Sequence, residues 1–469
     1  MLWKTDFSKW VITSNFERRG WQEVEDEGDE SWSIFWANVG TIRQIFSPDS
    51  LQQLRPDQLI NHFPNHFELT RKDLLVKNVK RYCRHARKLG AAVPEIVPST
   101  FVLPQEYALF VDEFRMQGSS TYILKPNGKA QGKGIFLVNK LSQVRERAAA
   151  AAAASADGSA SGGGIAQLFG QVGSRPGTGS STHATSSRAT PLRPALENYI
   201  VSRYIDNPLL LGGKKFDLRL YVLVPSYSPL VVYLATLGFA RFCNVKYTRE
   251  LAQLDNMFVH LTNVAVQKRG GGDYNAAHGN KWALADLRLH LEAARGHAAT
   301  QQLFADIEQL VVHALKAVQP AMINDKHCFE LYGFDVIVDS NLQPWLIEVN
   351  ASPSLTTTTK ADRLLKFKLI NDALSIVTPP GWSSSGAGSS SRRGGRRARE
   401  SAADERHYPP ALGCMQLAYD ERSVAGSSRR STGAAVAAAG DGSKAVGSSA
   451  ASTKKQAGAI PHKVVLLHG

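Results

Sequence analysis

Towards residue 330 the chain reads FELYGFDVIVDSNLQPWLIEVNASPSL, two apolar, β-branched runs separated by a polar turn at Asp339, Ser340 and Asn341. Runs of this kind, Gly333–Val338 and Pro344–Asn350, predict a β-hairpin. Folding it about a loop centred between Asn341 and Leu342 sets Asp335 opposite Glu348. Alternation then puts Glu348 and Asn350 on one face, with Trp345, Ile347 and Val349 on the other. Upstream, Tyr122–Pro126, Ile135–Val138 and Tyr199–Ile205 read as strands. The longest apolar window, Leu218–Ala240, is interrupted by Pro225, Ser226, Ser228 and Pro229 and predicts two strands rather than a membrane span. On the first of them Lys215, Asp217 and Arg219 alternate with Phe216, Leu218 and Leu220. A strand near Gly238–Phe242 carries Arg241. His260-Leu261-Thr262-Asn263 closes a strand-like run, and Asn280-Lys281-Trp282 precedes helical patterns. Leu303, Phe304, Ile307, Leu310, Val311, Ala314, Leu315 and Val318 recur at helix spacing, which makes that helix core support and its His313 incidental. A second helix follows Thr70, a candidate cap with Asp73 as its partner. Its apolar side is Leu74, Leu75 and Val79, and Arg71, Lys72, Lys77, Lys80, Arg81, Arg84, Arg87 and Lys88 cover the rest.

The pattern divides the chain. Residues 1–98, rich in Trp, form a small N-terminal domain bearing the basic helix, and 99–147 form a central segment. Residues 148–195, an Ala tract followed by Gly, Ser and Thr, are expected to be a flexible insertion. Residues 196–380 make a C-terminal segment, and 381–469 read as a disordered basic tail. At 469 residues and 43% hydrophobic content there is ample material for a large core. Four cysteines without CxxC pairing suggest neither a zinc site nor a disulfide framework and favour a reducing, intracellular setting. The N-terminus MLWKTDFSKW has no signal-peptide core, so a soluble protein is expected. A formal net charge of +14 calls for an acidic partner, and charge alone does not choose among nucleic acid, membrane surface and acidic protein tails.

Three stretches carry candidate chemistry. In the hairpin, Asp335, Glu348 and Asn350 gather oxygen donors on one face. Two adjacent carboxylates repel unless a cation lies between them, and oxygen-only ligands suit Mg²⁺. A hairpin with a merely solvated polar face explains the same pattern. Between two strands, Lys125 leads into Asn127-Gly128-Lys129-Ala130-Gln131-Gly132-Lys133-Gly134. This turn can wrap phosphate oxygens, although it is not a P-loop: the glycine spacing is one residue short and no Ser or Thr follows the lysine. The Lys215-Asp217-Arg219 row serves either as a solvated salt-bridge ladder or as the wall of a phosphate or carboxylate site.

The order of these stretches resembles that of ATP-grasp enzymes, and NHFPNHFELTRKDLLVKNVKRY, ILKPNGKAQGKGIFLVNKLSQV, NPLLLGGKKFDLRLYVLV, LDNMFVHLTNVAVQK and EVNASPSL resemble the tubulin–tyrosine-ligase-like family. The resemblance runs from about Trp10 to Pro380 and leaves out the insertion. It is closest to the catalytic subunits of tubulin polyglutamylase complexes. It implies an α/β fold of the α+β kind, ATP-grasp-like, with N-terminal, central and C-terminal catalytic domains. It implies that Lys125, Gln131 and Gly132 hold ATP phosphates. Ser202, Arg203, Tyr204 and Ile205 would line the adenine, Lys215, Phe216 and Asp217 touch the nucleotide, and Thr262 and Asn263 close the site. Asp335, Glu348 and Asn350 would bind Mg²⁺. Arg219 would neutralise the transferred phosphoryl group, making Arg219, Asp335 and Glu348 the catalytic set. Arg241 and Lys281 would grip the incoming amino acid, L-glutamate. Arg71, Lys72, Lys77, Lys80 and Arg81 would receive an acidic tubulin tail.

The implied activity is ATP-dependent addition of glutamate to glutamate side chains of tubulin tails through an acyl phosphate. Non-catalytic complex subunits and microtubules are the implied partners, with no nucleic acid and no membrane. The implied setting is the cytoplasm and cytoskeleton, at the cilium or flagellum axoneme, basal body or centriole. Glycine or tyrosine as the added amino acid keeps the fold. Two cations facing the substrate favour a second carboxylate and hence glutamate. A non-catalytic microtubule- or nucleic-acid-binding protein ranks third. It requires neither the metal hairpin nor its three ligands, and only Tyr82 interleaves the basic run where stacking aromatics are expected.

Overall fold

The computed structural model describes residues 1–26, 28–50, 53–118, 120–127, 132–144, 146, 199–250, 253–268, 280–378 and 408–423. The 148–195 insertion, most of the Gly/Lys turn with Gln131, and most of the 381–469 tail lie outside them.

The described residues form three sheets. A small parallel sheet has the order β2-β1-β3-β4, with β1 Leu2–Thr5, β2 Gln22–Glu23, β3 Ile34–Trp36 and β4 Leu59–Ile60. A second, antiparallel sheet has the order β5-β8-β6-β7, with β5 Thr100–Val102, β6 Tyr122–Pro126, β7 Phe136–Val138 and β8 Tyr199–Arg203. The third and largest is antiparallel, in the order β14-β13-β10-β11-β16-β15. Its long members are β10 Lys214–Tyr227, β11 Leu230–Phe242, β13 Glu330–Val338 and β14 Pro344–Asn350. The short β9 Leu210–Leu211 and β12 Lys281–Ala283 pair with β10 and β11, and β15 is Ala411–Leu412 and β16 Met415–Asp420.

Strand parity explains how the large sheet is covered. Even-numbered Phe216, Leu218, Leu220 and Val222 of β10, with Phe334 and Val336 of β13, pack under helices Leu284–Arg295 and His297–Val318. Odd-numbered Tyr221 and Leu223, with Leu331 of β13, pack against helix Trp10–Arg18 and helix Lys360–Val377. Earlier on that odd face of β10 stand Lys215, Asp217 and Arg219, so one sheet face changes from charged to apolar along the strand. The apolar half anchors the sheet and the charged half is left for a site.

Several expectations are corrected here. Residues 1–98 do not build a core of their own: Trp32, Phe35 and Ile42 share one with β10, and Trp3, Val11 and Phe16 share another with Leu369 and Ala373. A backbone hydrogen bond from Ile60 N–H to the His327 carbonyl, 2.8 Å, ties β4 to the approach of β13. Strand β8, assigned from sequence to the C-terminal segment, belongs to the central sheet, whose separate core holds Phe110, Tyr122, Leu124, Phe136 and Val201. The region after Pro380 is not uniformly irregular. Met415–Asp420 extends the large sheet along β11, with Val231 paired to Asp420 and Ala235 to Met415. The run before Thr262 is a helical turn, Met257–His260, capped by the Asn256 side chain accepting from Phe258 N–H. The basic helix is Lys72–Lys88 with Arg71 as N-cap; Thr70 instead donates to the His66 carbonyl at the end of a preceding turn. Among the described residues, no helix is long and apolar enough to cross a membrane.

Candidate active site

The central sheet faces the charged half of the large sheet across a cleft of about 1230 Å³, its open mouth included. Lys125 from β6 and Ser202 from β8 stand on one wall. Lys215, Asp217, Arg241, Asp335 and Glu348 stand on the other, and Thr262 and Asn263 lie at one side. Gly132, Arg203, Tyr204 and Ile205 also line it, beside the apolar Ile123, Ile135, Ile200 and Ile337. Phe216 does not: its ring is turned to the core, 5.4 Å from that of Phe242, as its even position on β10 requires. Arg219, Lys281 and Asn350 border the cleft without lining it.

The cleft is a place where positive charge is kept from water. The Lys125 and Lys215 ammonium groups are both buried, and desolvation pushes each down to about 8 from an ordinary 10.5. For Lys125 the carboxylates of Glu348 and Asp335 partly counter that burial. Lys215 donates to the Tyr204 hydroxyl, 2.8 Å, and to the His260 carbonyl, 3.0 Å. Tyr204 in turn donates to His260 Nδ1, 2.9 Å, whose Nε2–H donates to the Gln253 carbonyl, 2.9 Å. That relay fixes the lysine head through neutral groups, the Asp217 carboxylate partly counters its burial, and the charged head can take an anionic ligand.

Beyond the lysines, charges interlock. Arg241 binds both Asp217 and Asp335, the latter at 2.9 Å, and Arg219 holds Asp335 by two bonds of 2.6 and 3.1 Å. The two guanidiniums outweigh burial and hold the Asp335 carboxyl well below the usual carboxylate range. Arg241 is the register partner of Lys281, so the two residues expected to grip an amino acid do meet, on adjacent strands. Lys281 lies 3.5 Å from Asp362, which also pairs with Lys366 at 3.1 Å. Neither Asp362 nor Lys366 was foreseen. The signal was Thr359-Lys360-Ala361-Asp362, a capping box whose Thr359 hydroxyl accepts from Asp362 N–H.

The hairpin forms with Asp335 opposite Glu348, as expected. A bulge beside Asp335 shifts the rest of the register, however, so Trp345 and Ile347 pack with Ile205 and Ile337, of which Ile347 lines the cleft and Trp345 does not, while Leu346 and Val349 enter the core. Ile347 therefore shares the cleft with Glu348, contrary to simple alternation. Asn350 Nδ2 donates to the Gly333 carbonyl at 3.3 Å and lies 3.5 Å from Asp335 Oδ2, which leaves its amide oxygen for another donor or a cation. Two carboxylates and an amide oxygen fit a hard divalent ion in donor type. Their charge is balanced here by Arg219 and Arg241 on Asp335 and by Lys72, 3.0 Å from Glu348. Among the described residues no cluster of three or more His, Cys, Asp and Glu side chains offers an alternative metal site.

Lys72 is thus a cleft residue, not part of the exposed basic face to which the sequence assigned it. Lys80 is likewise engaged, 2.7 Å from Glu106. Arg71 is exposed and paired with Asp73 at 3.0 Å, and Lys77 and Arg81 are exposed.

Comparison with known proteins gives one consistent picture. A family model described as the tubulin-tyrosine ligase family matches residues 50–385. Over 394 residues the chain is 46% identical to probable alpha-tubulin polyglutamylase Ttll1 of Tetrahymena thermophila, covering 82% of this chain and 87% of that protein. It is 44% identical over 366 residues to probable tubulin polyglutamylase TTLL9 of Bos taurus, with 77% and 76% covered. Over 382 residues it is 33% identical to tubulin polyglutamylase TTLL5 of Homo sapiens, of which the match spans 25%.

Proposed function

The chain belongs to the tubulin-tyrosine ligase family, and from that premise we propose that it is an ATP- and Mg²⁺-dependent ligase that adds glutamate, through an isopeptide bond, to glutamate side chains of tubulin C-terminal tails. The observation that carries this reading is the cleft itself. Two buried lysines, Lys125 on one wall and Lys215 on the other, line one space with the carboxylates of Asp335 and Glu348. That is a site built for a polyphosphate and its counter-ion.

A carboxylate resists attack by an amine because oxide is a poor leaving group. Transfer of the γ-phosphoryl group of ATP to the γ-carboxylate of a tail glutamate gives an acyl phosphate and ADP. The neutral amine nitrogen of free glutamate then bonds to the acyl carbon as phosphate departs, and the nitrogen gives up one proton to leave the isopeptide N–H. When bound at Asp335, Glu348 and Asn350, Mg²⁺ supplies positive charge to the phosphates. Lys125 and Lys215 hold phosphate oxygens, and Arg219, held at the cleft border by Asp335, would offset charge that develops on the transferred group. Ser202, Tyr204 and Ile205 support an adenine, and Arg241 and Lys281 orient the incoming glutamate. Positioning and electrostatics carry the rate, and no nucleophilic side chain is needed.

The substrate also sets the place of action. We infer a cytoskeletal enzyme working at axonemes, basal bodies or centrioles, together with non-catalytic subunits. Incorporation of radiolabelled glutamate, glycine and tyrosine into microtubules with Mg·ATP tests the reading. Wild type incorporates glutamate, and Glu348→Gln lowers the rate at least about a hundredfold. Microtubule binding without incorporation, from the isolated chain and from the complex alike, would overturn it in favour of a binding protein.

A further inference from the structure

Beside the hairpin, among residues that do not line the cleft, lies a polar run that the reaction above does not use. His62 follows β4, and its Nδ1 is 2.9 Å from Glu330 Oε1 on β13; both side chains are almost fully buried. Glu330 Oε2 also accepts from Phe63 N–H at 3.2 Å. The carboxylate accepts from Nδ1–H, which turns Nε2 towards the next partner. Nε2 lies 3.3 Å from the Ser352 hydroxyl, two residues beyond Asn350. From the opposite side, Pro353 packs onto Gly333, the register partner of Asn350. A Cβ on Gly333 would come within 2.8 Å of Pro353 Cβ. The turn that leaves β14 is therefore pinned from both directions, by a hydrogen bond and by a contact that only glycine allows.

We propose that Glu330, His62 and Ser352 form a positioning strut that holds Asn350 in place for the divalent cation. This rests on the reading of Asp335, Glu348 and Asn350 as the metal site. Burying a carboxylate and an imidazole costs more than burying an apolar pair of the same size, so packing alone does not account for them. What the pair supplies is a fixed direction for one hydrogen bond, delivered to the segment that carries the amide ligand. Outer-shell partners act on metal sites in this way.

The test is Mn²⁺ binding to the full chain in the presence of a non-hydrolysable ATP analogue, read by electron paramagnetic resonance, for wild type, S352A, S352T and H62Q. Ser352 is exposed, so removing its hydroxyl leaves the fold intact. S352A is expected to weaken Mn²⁺ binding about tenfold, with its melting temperature and metal-free analogue affinity unchanged. S352T, which restores the hydroxyl, recovers binding. H62Q weakens binding too and lowers the melting temperature, because Glu330 loses its partner. Mn²⁺ binding by S352A equal to wild type overturns the strut. Absence of Mn²⁺ binding in wild type overturns instead the metal reading on which it rests. Because Ser352, His62 and Glu330 also follow the order of a nucleophilic relay, covalent labelling of Ser352 by a fluorophosphonate probe would equally overturn a positioning role.

Discussion

Lys125 and Lys215 are ammonium groups held where water scarcely reaches, and their pH behaviour follows from that. Each is pushed down to about 8 in the folded protein, against an ordinary value of 10.5. Phosphate oxygens favour the charged form, so binding takes up a proton wherever the free site has already lost it. Nucleotide affinity is therefore expected to be level below about pH 7. Above about pH 8 it falls by roughly tenfold per pH unit for each discharged lysine. Stability runs the other way. Between about 8 and 10.5 the unfolded chain holds more protons than the folded one, so these two groups make the ligand-free protein more stable as pH rises through that window. Calorimetric titration of an ATP analogue from pH 6.5 to 9.5 checks the first. An affinity that stays level to pH 9.5 would show that neither lysine meets the phosphates.

What was legible at this scale was whatever depends on near neighbours. The Lys215-Asp217-Arg219 row was readable because a strand alternates every second residue, and the cleft receives the first two of these side chains while Arg219 borders it. The Lys72–Glu348 pair spans 276 positions of sequence, and His62–Ser352 spans 290. No local pattern announces either. A lysine in the first turn of a helix whose other faces are densely basic looks like one more solvated charge until the fold sets it beside a carboxylate.

Among the elements, the hairpin was readable to its pairing and not to its parity. Asp335 meets Glu348 as the turn residues imply, but one extra residue at the bulge sets Trp345 and Ile347 against Ile205 and Ile337. A period-two argument fails wherever the ladder takes in an extra residue. Strand β16 was hidden for another reason: CMQLAYD lies in a long Ser/Gly/Ala/Arg-rich stretch whose composition outweighs seven residues of strand pattern. Its anchor is specific. The Asp372 carboxylate accepts from Cys414 N–H at 2.7 Å, and Gly413 next to it has φ +59°, with Asp372 Oδ2 only 2.1 Å from where a Cβ would stand. Gly413→Ala must expel Asp372 and strain the backbone, and is expected to destabilise the protein by about 2 kcal/mol or more in a urea melt. A chain ending at Thr378 loses β16 and leaves β11 with an open edge, so it is expected to melt earlier and aggregate. A chain ending at Ser423 keeps the wild-type melting temperature. Equal melting of the two truncations would show that β16 adds nothing to the sheet.

For the molecule as a whole, charge is divided by exposure. Inside the cleft and beside it, apart from Lys125 and Lys215, cations meet carboxylates in a shared set: Arg241 to Asp217 and Asp335, Arg219 to Asp335, Lys72 to Glu348, Lys281 and Lys366 to Asp362. On helix Lys72–Lys88 the exposed residues Lys77, Arg81, Arg84, Arg87 and Lys88 form a basic face that begins more than one turn from the cleft residue Lys72 and runs to the end of the helix. The helix thus reaches from the cleft to a surface suited to an acidic peptide, and one element can hold the tail and border the chemistry. The N-terminal segment shares its cores with the large sheet, so this surface is fixed relative to the site rather than carried on a separate domain. Exposed charges act through long-range attraction that salt screens, with a Debye length of about 8 Å at physiological ionic strength. Reversing two of them, Lys77→Glu with Arg81→Glu, is accordingly expected to raise the half-saturating microtubule concentration about tenfold at low salt and far less at high salt. The KM for ATP stays the same, because neither residue lines the cleft. If the double variant instead loses turnover at saturating microtubules, the face reaches into the chemistry itself. If neither constant changes, tubulin tails enter from another side, and the basic helix is only the solvated face that its composition first suggests.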